Sequence, residues 1–436
     1  MRGRWLISGV IAAGLGMTGA GHAQIAATGE TAGVQDQVQP VPLPEGEEPA
    51  SPQQGNHEDA DPYEPLGLRS GGMTLFSTLE TLATVSSNIN QEKSGENAGV
   101  GLTMRPSLRF ESDWVRHSWT GEVSADFLRY LDHSELATTS ATAETDFRLD
   151  IRRTTRAEFS ASYDLNVDAN IDTGVTGSEI GNATEHAAAA VAGLIHDFGP
   201  MEMGLRAGVE RGIFEDVALS GGGTQDNGDK DYWAPSLTLR ASYTDPPLLK
   251  PFLEVGYERR IHDRNVDRNG EDRDSHGLAL RAGVALDDGP IWSGELATTY
   301  LLRQFDDANL GSNDAVGLDG SLTWSPTELT SITFNFGTEL SDSSDVGDVG
   351  GQSWSAGVAF TQGLRDNLDL LAGAGLTIDD ETAGTDLTYD ASLGLTWSLN
   401  RNVALTAVYD FTLLDAAAAA ESYTEHRISA GVVLRH

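Results

Sequence analysis

Oxygen donors at Asp263, Asn265, Asp267 and Asp274 stand at the first, third, fifth and twelfth positions of a calcium-type loop. That spacing gathers carboxylates around a hard cation. Three features weaken it. Arg268 holds the sixth position, where the turn wants glycine. The twelfth residue is Asp rather than a bidentate Glu. Arg264 and Arg273 oppose a cation. The segment therefore predicts a weak calcium loop at most, beside the plainer reading of a solvated acidic loop. Candidate catalytic histidines are His117, His133, His196, His262, His276 and His426, and none comes with a recognisable nucleophile signature. Ser220-Gly221-Gly222-Gly223-Thr224 lacks the lysine of a phosphate loop. No catalytic residue and no cofactor is expected.

A second chemistry is spread along the whole chain. Arg105, Arg109, Glu144, Asp146, Arg148, Asp150, Arg152, Glu158, Glu254, Glu258, Arg281 and Glu295 sit in long segments where polar and apolar residues alternate. A period of two puts such charges on one face of a strand. Mixed charge on a continuous face makes a hydrated surface, and these residues are expected to line a lumen. The plainer alternative is that they only bridge neighbouring strands.

The elements that carry them read as strands. Val100, Leu102, Met104, Leu108 and Phe110 alternate with polar neighbours, as do Leu387, Tyr389, Ala391, Leu393, Leu395, Trp397 and Leu399. Strands are expected near 73–85, 98–110, 117–130, 139–152, 156–168, 185–197, 201–213, 232–244 and 250–261. Further ones fall near 275–287, 290–304, 314–325, 329–341, 352–364, 368–379, 386–399, 402–414 and 424–436. Each is about a dozen residues, enough to cross a bilayer when tilted and longer than the ~5–6 of soluble strands. Short turns such as Arg153-Thr154-Thr155 and Asn400-Arg401 alternate with longer polar loops near 86–97, 169–184, 214–231, 262–274, 305–313 and 342–351. Outer-membrane barrels show this asymmetry. The fold class is thus all-β: a transmembrane, antiparallel, up-and-down β-barrel of about 18 strands. No loop is conspicuously long enough to predict an inward fold. Trp119, Trp233, Trp292, Trp324, Trp354 and Trp397, with Tyr130, Tyr243, Tyr300 and Tyr409, fall near strand ends, where interfacial girdles would put them.

The bulk numbers agree. The 436 residues include 66 acidic and 28 basic ones, for a formal charge of −38, and no cysteine. Such charge disfavours nucleic acid, which wants clustered Lys and Arg. The absence of cysteine removes disulfides and thiolate metal sites. Residues 1–23 read as a cleaved signal peptide: Arg2 and Arg4, an apolar core from Leu6 to Met17, then Gly21-His22-Ala23. Residues 24–65 are rich in Pro and acid and predict a disordered periplasmic tail, with a partner, a plug or a tether as open roles. Residues 66–436 form the barrel.

The stretch Asp61-Pro-Tyr-Glu-Pro-Leu-Gly-Leu-Arg-Ser-Gly-Gly-Met-Thr-Leu-Phe76, followed by Val85-Ser-Ser-Asn88-Ile-Asn90, resembles the opening of the putative β-barrel porin 2 family. The resemblance implies an outer-membrane barrel of a Gram-negative bacterium, a role in polysaccharide export in some members, and no catalytic residues. One departure is the last strand, which ends Val433-Leu434-Arg435-His436 where many barrels end in Phe or Trp. Expected partners are outer-membrane lipid and lipopolysaccharide, the barrel-assembly machinery, and a periplasmic partner of the tail. The leading functional expectation is a channel for small hydrophilic solutes with mild cation preference. A structural or surface-interaction barrel, and a component of polysaccharide export, stand beside it.

Overall fold

The computed structural model describes residues 63–133, 136–168, 183–218, 223–245, 248–286, 291–341, 343, 346–382, 384–419 and 421–436. The signal peptide and nearly all of the acidic tail expected from the sequence lie outside them. The described residues form strands and connections, and no α-helix. The first half contains β1 (Leu68–Ser70), β2 (Met73–Ser86), β3 (Gly99–Ser112), β4 (Ser118–Tyr130), β5 (Thr138–Arg152), β6 (Thr155–Asp168), β7 (Ala183–Asp197), β8 (Met201–Phe214), β9 (Val217–Ala218), β10 (Thr224–Gln225) and β11 (Tyr232–Tyr243). The second contains β12 (Lys250–His262), β13 (Ser275–Leu286), β14 (Trp292–Phe305), β15 (Ser312–Thr327), β16 (Thr330–Leu340), β17 (Gln352–Arg365), β18 (Leu368–Glu381), β19 (Gly384–Ser398), β20 (Val403–Asp415) and β21 (Tyr423–Arg435).

Eighteen long strands pair with their neighbours in chain order, all antiparallel, and β2 pairs with β21 from Thr78↔Arg435 to Ser86↔Arg427. The cylinder is therefore closed, and none of the eighteen is left as an edge without a partner on either side. β1 adds a nineteenth strand to the sheet without widening the barrel. It pairs with Met73–Leu75 through the turn at Gly71, which has φ +64°, and so extends the wall where β21 runs out. His436 finishes the closure by exchanging main-chain hydrogen bonds with Ser77 (2.9 and 3.2 Å). β9 and β10 form a separate small hairpin in the loop between β8 and β11.

Alternation explains which face is which. Leu237, Leu239, Leu253, Val255, Leu393 and Leu395 are exposed, while Arg206, Arg240, Glu254, Thr299, Arg303 and Asp319 are buried. This inverts a soluble core. Apolar side chains point out, where a bilayer would cover them, and polar ones point in. Aromatic rings cluster near strand ends on the outer face. Trp292 stacks on Trp324 at 5.7 Å, and Phe110 meets Trp119 edge-on at 5.1 Å, both at the short-turn end. At the loop end, Tyr163, Tyr257 and Tyr409 hydrogen-bond His186, His276 and His426 on the next strand at 2.6–2.9 Å. Tyr130 does not join a girdle. It is buried with Ile89 and Leu128 on the other face.

Candidate functional site: the charged inner wall

The inward face is built from guanidinium groups shared between carboxylates on neighbouring strands. The densest patch spans β11 to β15 near the short-turn end. Register sets Arg240, Glu254 and Arg281 side by side. Arg240 reaches Glu254 (3.5 Å) and Glu295 (2.6 Å). Arg281 reaches Glu254 (2.9 Å), Glu295 (3.1 Å) and Asp319. Two guanidiniums thus serve three carboxylates, and all five side chains are about a tenth exposed. Arg240 also lies over the Phe252 ring, 3.7 Å from its centroid.

The band continues through β8 to β6. Glu158 accepts from Arg156 (3.1 Å) and Arg206 (3.3 Å), and Arg156 also reaches Glu202 at 2.9 Å. Arg148 pairs with Asp150 at 2.9 Å. Arg109 pairs with Glu111 at 3.2 Å. Arg105 bridges Glu80 (3.2 Å) and Asp126 (2.5 Å). Arg427 holds Glu425 at 2.9 Å, and Ser86 donates to the same carboxylate. The remaining charges singled out from the sequence fall on the same face. Glu144 stands opposite Glu122, and Asp146 opposite Ser160 and Thr120. Glu258 sits 3.9 Å from Arg260. Arg152 lies exposed at the short-turn end of β5, opposite Thr155. Sequence reasoning missed Glu80 and Glu111, and also Asp319, Glu425 and Arg427. All five continue the alternation of their strands, so the signal was present.

The loop end carries a second ionic lattice. Here the spacing that suggested a calcium loop resolves into other partners. Asp263 takes two hydrogen bonds from Arg211 (2.9 and 2.7 Å). Asp267 accepts from the main-chain N–H of Asn269 and Glu271 and from Arg273 at 3.1 Å. Asp274 accepts from the His262 N–H at 2.7 Å and lies 3.6 Å from Arg259. Asn265 is exposed. The four donors are not brought to one point, because arginines from β8 and β12 and from the loop itself engage the carboxylates. Among the described residues no group of three or more His, Cys, Asp or Glu is placed to hold a metal. Elsewhere in the lattice, hydrogen bonds from Arg259 hold the Asp306 carboxyl below its ordinary range. Burial raises Asp229, but Arg268 at 2.9 Å outweighs it and leaves that carboxyl low.

One connection departs from the sequence expectation that no loop folds inward. Asn313, Ala315 and Gly317 lie on the inner face of β15. Asn313 donates to the Gly351 carbonyl at 2.8 Å. Ala315 is buried with Leu340 and Leu301. A Cβ on Gly317 would collide with Thr338 and Trp354. The loop-end tip of β16 and β17 therefore rests against the inside of β15. Arg273 pins the following loop by donating to the carbonyls of Ser343 (2.7 Å) and Asp348 (2.6 Å). Loop length alone could not reveal this, because the whole hairpin tip tilts inward with its loop.

A closed cylinder of eighteen antiparallel strands, apolar outside and charged within, defines an outer-membrane β-barrel. Residues 61–436 match the family model described as Putative beta-barrel porin 2, and the chain belongs to that family. No curated protein matches. Several solved structures are similar. The outer membrane protein OpdK of Pseudomonas aeruginosa is 13% identical over 83% of this chain and 98% of its own, with a TM-score of 0.38. OccAB4 of Acinetobacter baumannii is 12% identical over 84% and 99%, with a TM-score of 0.37. The ferric enterobactin receptor PfeA of P. aeruginosa is 10% identical over 83% and 80%, with a TM-score of 0.42.

Proposed function

We propose that this barrel is a porin-like channel for small hydrophilic solutes with a mild preference for cations. The observation that carries the reading is the sharing of guanidiniums along the inner wall. Arg240 and Arg281 face Glu254, Glu295 and Asp319, and Arg105 alone faces Glu80 and Asp126. Each patch keeps one surplus negative charge. An eighteen-strand circumference leaves an aqueous bore, and unbalanced acid on its wall enriches cations there. Arg105, Arg109, Glu144, Asp146, Arg148, Asp150, Arg152, Glu158, Glu254, Glu258, Arg281 and Glu295 line that path. In this reading the short turns face the periplasm of a Gram-negative cell, residues 1–23 are cleaved on export, and the outer girdle contacts lipid and lipopolysaccharide.

The test is purified full-length protein in a planar bilayer under a potassium chloride gradient. Stable conductance steps with a cation-directed reversal potential support the channel. A folded barrel that conducts nothing, or that prefers chloride, removes it.

A further inference from the structure

Most neighbouring strands share a ladder for nearly their full length. β14 and β15, for example, pair from Trp292↔Trp324 to Gln304↔Ser312. The ladder between β15 and β16 stops early. It runs from Thr327↔Thr330 to Gly320↔Phe336 and goes no further. Ser312–Asp319 and Gly337–Leu340 are left without main-chain pairing to each other, in the half of the wall next to the long loops. The break begins at Gly320, whose φ is +135°, a backbone state that side chains rarely adopt.

Side chains close the gap. Thr338 donates to the Leu318 carbonyl at 2.9 Å, and the Trp354 indole donates to the Val316 carbonyl at 3.0 Å. These carbonyls need donors because a lipid-facing wall offers no water. The tip of β16 and β17 overlaps β15 like a shingle, with Leu340 and Ala315 packed between the two layers. Leu301 and Ala279 continue that apolar strip onto the inner wall. Val316 and Leu318, on the other side of the same strand, are exposed on the outer face. An apolar strip therefore leads from the inner wall, through the overlap, to the lipid-facing surface. At its inner end Glu339 and Asp379 flank Ser353 on one rung of β16, β17 and β18, so the entrance is acidic.

We propose that this overlap is a lateral portal for a single-chain amphiphile with a cationic head. The chain slides along Leu301, Ala315 and Leu340 while the head stays against the carboxylates. A ladder of main-chain hydrogen bonds would forbid such passage. Two side-chain donors swing aside by rotamer changes and then reclose. The portal is separate from the axial route proposed above, and either can fail without the other.

The chain has no cysteine, which permits a clean lock. A Cβ at position 317 would lie 3.0 Å from the Thr338 Cβ and 2.9 Å from the Trp354 indole, so a sub-ångström retreat that also turns the indole aside reaches the ~3.8 Å that a disulfide prefers. The probe is an alkylammonium with a photoreactive diazirine in its chain, added to the full barrel in lipid nanodiscs. Labelled residues are mapped by mass spectrometry, and conductance is measured in parallel. Wild type should label at Ala315, Leu340 and Leu301, and the reduced Gly317→Cys/Thr338→Cys protein, which lacks the Thr338 donor, should label there more strongly. Oxidation should abolish that labelling and leave ion conductance in place. Thr338→Val and Trp354→Phe each delete one donor and should raise labelling, which keeps the test open if the disulfide fails to form. Labelling absent from wild type, unchanged once the disulfide is shown to have formed, or unchanged in both donor variants overturns the portal.

Discussion

Arg281→Gln is the sharpest perturbation of the inner wall. Arg281 bridges Glu254 (2.9 Å), Glu295 (3.1 Å) and Asp319, and Arg240 is the other guanidinium in the patch. Three carboxylates against two guanidiniums leave one negative charge, and the substitution leaves two. One unit charge about 8 Å from a passing ion is worth about 1 kcal/mol at an effective dielectric constant of ~40. Screening with a ~10 Å Debye length at 0.1 M salt cuts this to about 0.5 kcal/mol. That figure roughly doubles the local cation population and halves that of anions, so the permeability ratio moves about fourfold toward cations. A reversal potential in a tenfold salt gradient reads it directly. The same change strands buried acid, and the barrel should lose about 3 kcal/mol against urea, the low end for a broken buried pair, because lumen water relieves part of the cost. Arg281→Lys separates the two effects. It restores the charge but not the fork that reaches three carboxylates, so selectivity should return while stability stays reduced. An unchanged reversal potential in Arg281→Gln, or a shift toward anions, would refute the claim that this patch faces the conducting path.

Three further outcomes follow from other parts of the wall. Arg273→Ala removes the donor to the Ser343 and Asp348 carbonyls, so single-channel records should become noisier and proteinase K, which needs no basic residue, should cut between β16 and β17 faster; an unaltered record and digest would mean that Arg273 does not pin this connection. Gly320→Ala places a Cβ against the Glu295 carbonyl at a φ of +135° and should destabilise the barrel by about 1–3 kcal/mol in urea titration, whereas Gly199→Ala, a loop glycine with open space around it, should cost less. The Asp229–Arg268 contact is depressed-carboxylate chemistry, with its stabilisation present above the ordinary value of 3.8 and lost as pH falls through the still lower folded value. Amide protection factors in residues 223–231, with the intrinsic pH dependence of exchange divided out, should therefore hold from neutral pH down to that region and fall only below it, and a fall near pH 6 would point to a histidine instead.

Much of this protein was legible in its sequence. A strand in a bilayer wall must be apolar at every second position, and that period locates each segment, its two faces and the direction of its charges. Short turns and long loops then order the hairpins, which is why all eighteen long strands fall within a few residues of their expected places. Glu158, Glu254 and Arg281 were identifiable as inward residues for the same reason. Only the tertiary structure decided which charges meet. Arg240 and Glu295 are 55 residues apart on β11 and β14, and their contact depends on the register of three successive ladders and on the concave wall that shortens the distance between their side chains. The calcium-like spacing was local and real, yet Arg211 and Arg259 on other strands engage its carboxylates, which no local pattern can announce. The inward tilt of β16 and β17 depends on Gly317 and Gly320 accepting close contact with distant residues. Alternation is a property of neighbours in the chain, whereas pairing and overlap are set by closure of the cylinder, which brings together residues that the sequence keeps far apart.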